Sequence, residues 1–186
     1  MELGKKRGAL RFDEVDAALE WVEDEILAAE RHSRLPVQHP LELGEIDLLA
    51  GLDAQAIAAV AGAVATRHYE EGEQIFAAGD PADELLLVRR GRVRVFLPLA
   101  LGDQLHLATF AQGDSLGEIA FLERSTRTAR AVALEPTELF ALSRRRFDEV
   151  SRGDPAAGAQ IFARLARVLA ARLRRTDAEV RALQDA

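Results

Sequence analysis

The segment LGEIAFLERSTRT, Leu116 to Thr128, sets one carboxylate, Glu118, inside an apolar run, with Gly117 directly before it and Arg127 nine positions after it. A carboxylate among apolar neighbours is costly unless it is hydrogen-bonded, so Glu118 requires a partner. If Gly117 opens a short helix, the first amide N–H groups of that helix lack acceptors and its dipole is positive there, a combination that attracts an anion. Arg127 can offer a planar guanidinium to the same anion, because its fork matches phosphate oxygens. Glu118 would repel a phosphate. As an acceptor it suits a hydroxyl such as a sugar 2'-OH, and it can also hold Arg127 or nearby amides. Together Gly117, Glu118 and Arg127 describe a phosphate joined to a ribose. The competing explanation is an ion pair between Glu118 and Arg127 that ties a loop to the fold.

Such a constellation needs a frame, and the hydropathy pattern supplies one. Residues 66 to 142 carry short runs rich in Val, Leu, Ile and Phe, among them EQIFAAG, ELLLVRRG, RVRVFLPL, QLHLATFAQG, TARAVALE and TELFALS, separated by Gly, Pro and Asp. This punctuation predicts an antiparallel sandwich or barrel. In RVRVF, Val93 and Val95 are expected to face the core and Arg92 and Arg94 water, with Gly91 turning the chain before them. SLGEIAFLE is the one helical stretch inside this β region, and a local departure from a fold's pattern tends to be functional.

Helices are expected on both sides. Residues 13 to 30 place Val15, Leu19, Val22, Ile26 and Ala29 on one face, with Trp21 at its edge. Residues 31 to 44, with two prolines and two histidines, read as a linker, so the chain divides into 1–44 and 45–186. A second helical segment runs from Glu45 to Ala65, broken at Gly51-Leu52-Asp53, with Asp53 as N-cap of its later part. The C-terminal helices span 144–184; Asp154 caps the long one and Pro155 suits its first turn. Its apolar side is Ile161, Leu165, Val168, Leu169, Leu173, Val180 and Leu183, interrupted by Arg172 and Thr176. A helix of about thirty residues outruns so small a barrel, so its distal part meets a second subunit, covers a pocket or projects.

Composition narrows the function classes. The chain has 186 residues, no cysteine and a net charge of -7. Disulfides, thiolate metal sites and cysteine nucleophiles are excluded, and the absence of cysteine fits the cytoplasm. The acidic balance argues against nucleic acid as a partner, since the arginines are interspersed with acids. No apolar run is long enough to span a bilayer, and nothing reads as a signal peptide. His32, His39, His68 and His106 are scattered without metal-ligand spacing. No nucleophile motif or Gly-rich nucleotide triphosphate loop is visible, so an enzyme is not expected.

GEIAFLERSTRTA resembles the phosphate-binding cassette of the cyclic nucleotide-binding domain family, and IFAAGDPADELLLVRRGRVRVF resembles that family's strand and glycine pattern. The resemblance, to the catabolite-activator and protein-kinase-A regulatory type, implies a mainly β fold with flanking α, a jelly roll closed by a long C-terminal helix. It implies that Gly117, Glu118, Ile119 and Ala120 lie along the cyclic phosphate and ribose, with Glu118 on the 2'-OH, and Arg127 with Thr128 and Ala129 on the phosphate. The ligand implied is cAMP rather than cGMP, with no metal. AARLRRTDAEVRAL is similar to the dimerisation helix of catabolite-activator-type regulators, which gives Thr176 the adenine amino group and makes a homodimer through this helix an expectation. LRFDEVDAALEWVEDEIL resembles the linker between a STAS domain and a cyclic nucleotide module in bacterial SulP-type anion transporters and some glutaminase fusions. A transporter or enzyme is therefore the expected output partner. The alternative is a jelly-roll adaptor that senses nothing and works through its helices.

Overall fold

The computed structural model describes residues 39–99 and 104–184. The helix expected at 13–30, with Trp21, and the transporter-type linker lie outside the described residues, as do the side chains of Val180 and Leu183.

Among the described residues eight strands form two antiparallel sheets. They are β1 (Val64–Tyr69), β2 (Gln74–Phe76), β3 (Glu84–Arg90), β4 (Val93–Pro98), β5 (Gln104–Phe110), β6 (Ser115–Leu116), β7 (Arg130–Ala133) and β8 (Thr137–Ser143). One sheet has the order β1-β8-β3-β6 and the other β2-β7-β4-β5. The crossing from β3 to β4 is made by the turn holding Gly91, whose φ is +86°, as the sequence predicts. Among the described residues four α-helices accompany the roll: α1 (Ala54–Ala61), α2 (Glu118–Glu123), α3 (Arg144–Gly153) and α4 (Pro155–Gln184).

Strand β3 shows why the roll needs its helices. Its residues Leu85 to Val88 are all buried, which a strand can achieve only when both of its faces are covered. Leu86 and Val88 pack between the sheets with Val93, Val95, Leu116, Ala131, Leu139 and Ala141. Leu85 and Leu87 point the other way, into a second core with Val60 of α1, Phe121 of α2, Phe147 of α3, and Ile161 and Leu165 of α4. Each fully buried Leu or Phe contributes about 1.5–3 kcal/mol, so the helices are part of the fold's stability. Edge-to-face contacts run from Phe121 to Phe147 at 5.5 Å and on to Phe162 at 4.8 Å, linking the short helix in the roll to the long one.

The caps follow the sequence. Asp53 accepts a hydrogen bond from the Ala56 amide at 2.8 Å, and Asp154 from that of Ala157 at 3.0 Å. Two expectations are corrected. The second helical segment is confined to Ala54–Ala61, preceded by a 3-10 turn at Leu43–Glu45, and the chain is already extended at Val64 because the β1–β8 pairing overrides alanine's helix preference. Arg94 is only half-buried rather than solvated, and its Nε is shielded without a hydrogen-bond partner among the described residues.

The long helix has 30 residues and loses its cover along its length. Ile161 and Leu165 are buried, Val168 and Leu169 are half-buried, and Leu173 is 63% exposed. No helix among the described residues is long and apolar enough to cross a membrane.

Candidate functional site

Gly117 follows β6 and opens α2, with φ +80°, a conformation that glycine adopts without strain. The first intrahelical bond is donated by Phe121 N–H to Gly117 O at 3.2 Å, so the amides of Glu118, Ile119 and Ala120 precede the helix's own ladder. Glu118 and Ala120 are buried, and Ile119 is 41% exposed. The returning strand is held by a short antiparallel clamp: Arg127 N–H donates to Asp80 O and Gly79 N–H to Arg127 O, both at 2.8 Å, with a bridge between Pro81 and Thr126. The Gly79–Asp80 turn thereby fixes where Arg127 leaves the backbone.

The Arg127 side chain is buried. One of its guanidinium nitrogens, Nη1, donates to Glu84 O at 3.0 Å and to Gly117 O at 3.2 Å, and the group stacks over the Phe76 ring at 4.4 Å. Among the described residues no carboxylate approaches it within 4.0 Å. Burial pushes its pKa below the ordinary arginine value; the charges of Glu84, Glu118 and Asp83 oppose this, and that of Arg67 adds to it. It remains a cation, anchored on one edge and without a close counter-ion. Thr128 beside it is exposed, and Ala129 is buried in the roll.

Glu118 does not pair with Arg127. Its Oε1 lies 2.7 Å from Nη1 of Arg172, a residue of the long helix α4. Arg172 also donates through Nη2 to Ser115 O and stacks over Phe110 at 4.6 Å, so one side chain of α4 touches β5, β6 and α2 together. Arg172 is the residue of this candidate site that sequence reasoning passes over. The signal was present, since Arg172 breaks the apolar stripe of α4, and a charge placed there needs a reason. Thr176 sits one turn beyond it, exposed, with no hydrogen bond to the cassette among the described residues.

The structure thus brings Gly117, Glu118, Ala120 and Arg127 together, keeps Thr128 and Ala129 in the bend that leads into β7, and leaves Thr176 apart. A side chain at 117 would be driven into the Arg127 guanidinium. Gly117→Ala is accordingly expected to displace Arg127 and to weaken anion binding by about tenfold or more, while costing about 1–3 kcal/mol of stability for the left-handed backbone and the clash. Denaturant unfolding and a binding titration on the same sample check both parts.

A cleft of about 300 Å³ adjoins this arginine, lined by Arg67, Phe76, Asp80, Asp83 and Glu84 as well as Arg127. No cluster of three His, Asp or Glu side chains able to hold a metal ion occurs among the described residues.

Comparison with known proteins places this geometry. Residues 66–154 match the model of the cyclic nucleotide-binding domain family. The chain is 36% identical to Glutaminase 2 of Bradyrhizobium diazoefficiens over 177 residues, which are 95% of this chain and 27% of that protein. It is 39% identical over 114 residues to the Cyclic AMP receptor protein of Thermus thermophilus, covering 61% of this chain and 51% of that one. The chain therefore spans about a quarter of the glutaminase and about half of the receptor. The crystal structure of the Thermus thermophilus Catabolite Activator Protein superimposes with a TM-score of 0.65 at 35% identity, over 74% of this chain and 63% of that chain. Residues 66–154 are thus a cyclic nucleotide-binding domain, carried on a jelly roll like that of the catabolite-activator type.

Proposed function

We propose that this chain is a regulatory module that binds a cyclic purine nucleotide, cAMP in preference to cGMP, and reports occupancy through α4. The observation that carries the reading is Arg127: a buried guanidinium, held on one edge by two carbonyls and left without a close carboxylate, is built to receive an anion. The Thermus thermophilus relative named as a cyclic AMP receptor protein supports cAMP as the ligand. In this reading Gly117, Glu118, Ile119 and Ala120 line the ribose and cyclic phosphate, Arg127 with Thr128 and Ala129 takes the phosphate, and Thr176 meets the base.

The mechanism follows from Arg172. Glu118, the proposed ribose acceptor, is held by a residue of α4, so a hydroxyl reaching that carboxylate changes what holds the helix to the roll. Occupancy can shift the helix only to the extent that the nucleotide binds its two positions with different affinity. The exposed Leu173 beside Arg172 makes a second copy of the chain the proposed cover for the distal helix. The glutaminase relative makes an enzyme the favoured class of output partner, ahead of a transporter.

One observation favours the adaptor reading. The Glu118–Arg172 pair satisfies the site from within, and a module that works through its helices needs no more. Calorimetric titration of the full chain with cAMP and with cGMP separates the two, together with deuterium exchange over α4. Saturable binding with changed exchange around Arg172 supports the sensor; no binding by a folded sample free of co-purified nucleotide overturns it in favour of the adaptor.

A further inference from the structure

Arg67 of β1 points into the cleft that Arg127 lines, and its Nη2 lies 2.6 Å from Oε1 of Glu84 on β3. The two strands flank β8, so the pair reaches across that strand. Their side chains are 41% and 26% exposed, and an ion pair that accessible adds little to stability. Its placement needs another explanation, which lies in what else Glu84 does.

Glu84 has two roles at one position. Its backbone carbonyl accepts from Arg127 Nη1 at 3.0 Å, fixing the buried guanidinium, while its carboxylate is turned to Arg67. Of the other acids on this cleft, Asp80 is already occupied, accepting from the Ala77 amide at 2.8 Å, and Asp83 is exposed to water. Glu84 is thus the half-buried carboxylate best placed to claim Arg127 if released. A carboxylate that pairs with a buried guanidinium occupies the same donors that an anionic ligand would use. Burial alone would lower the pKa of Arg67, but the hydrogen bond and charge of Glu84, with Tyr69, raise it above the ordinary arginine value, so Arg67 stays charged.

We infer that Arg67 is a positioning residue for ligand phosphate: by clamping the Glu84 carboxylate it keeps the Arg127 guanidinium free of an internal competitor. The inference rests on the nucleotide-binding reading and adds a residue that the cassette sequence does not contain. Arg67 acts through Glu84 and not by touching the ligand.

The test is a mutant cycle on the full chain, read by calorimetric titration with cAMP and cGMP. Arg67→Leu is expected to weaken binding roughly tenfold, the scale of coupling within one salt-bridge network, and Arg67→Lys to retain most of it. Adding Glu84→Gln to Arg67→Leu removes the competitor and is expected to restore binding to within about twofold of wild type on the same scale. A structural or ligand-contacting role for Arg67 would not be rescued in this way, so a weakened double variant overturns the inference. Unchanged binding by Arg67→Leu overturns it too, while leaving the sensor reading intact. No binding by the wild-type chain overturns both.

Discussion

Arg127→Ala is expected to reduce cyclic nucleotide affinity by about a hundredfold or more, the usual consequence of truncating a buried, hydrogen-bonded charge that meets an opposite charge. The argument depends on how little else could replace it. Arg172, tied to the cassette from α4, is already engaged with Glu118, Ser115 O and Phe110. Arg67 is engaged with Glu84. The alanine variant therefore leaves the proposed phosphate position with the first amides of α2 and the carbonyls that held Arg127, but with no cation free to meet the anion. Stability is expected to move far less, by about 1–2 kcal/mol in either direction. Losing the Phe76 stack and the donor to Glu84 O and Gly117 O destabilises, whereas releasing a desolvated cation stabilises. Arg127→Lys sharpens the point. A lysine keeps the charge, but once its single nitrogen is held by the two carbonyls it has no further nitrogens of a planar fork to offer the ligand. It should recover only a small part of the lost affinity. Titration checks the affinity and urea unfolding the stability. An alanine variant that binds as wild type would show that the anion site lies elsewhere.

Much of this arrangement was legible in the sequence because it is local. Alternating Val93 and Val95, the Gly91 turn, the Asp53 and Asp154 caps and the Gly117 helix start each depend on a few adjacent residues, and each appears where the pattern predicts it. Glu118 and Arg127 could be identified as a pair of chemical interest for the same reason. Their partners could not. The sequence allowed Glu118 to hold Arg127, yet the roll sets Arg127 against carbonyls and delivers Arg172 from 54 positions downstream to the carboxylate. Arg67 and Glu84 meet only because β1 and β3 both flank β8. Such pairings are decided by topology, and no spacing rule reports them. The end of the α1 segment was misjudged for a related reason: alanine-rich residues near Val64 favour a helix in isolation, but the open edge of β8 offers them hydrogen bonds that helix propensity cannot match.

The second large effect is expected at the pair between the long helix and the cassette, and its signature is asymmetry. The Glu118 side chain is 10% exposed and that of Arg172 is 32% exposed. Removing the arginine strands a nearly buried carboxylate, whereas removing the acid's charge leaves an arginine that can still donate to Ser115 O, stack on Phe110 and reach water. Arg172→Met is therefore expected to destabilise by about 1–3 kcal/mol, discounted from the cost of breaking a fully buried pair because the arginine end is partly solvated. Glu118→Gln should cost less than about 1 kcal/mol, and the double variant should recover part of the Arg172→Met loss, since a neutral amide beside a thioether strands no charge. Chemical unfolding of the four proteins gives the cycle directly. The same variants separate binding from its output. If α4 is coupled to the cassette through this pair, Arg172→Met should still bind nucleotide through Arg127, yet lose the ligand-induced change in deuterium exchange along α4. A normal exchange response in that variant would mean that the signal leaves the roll by another route, of which the Phe121–Phe147–Phe162 stack is the one the structure supplies.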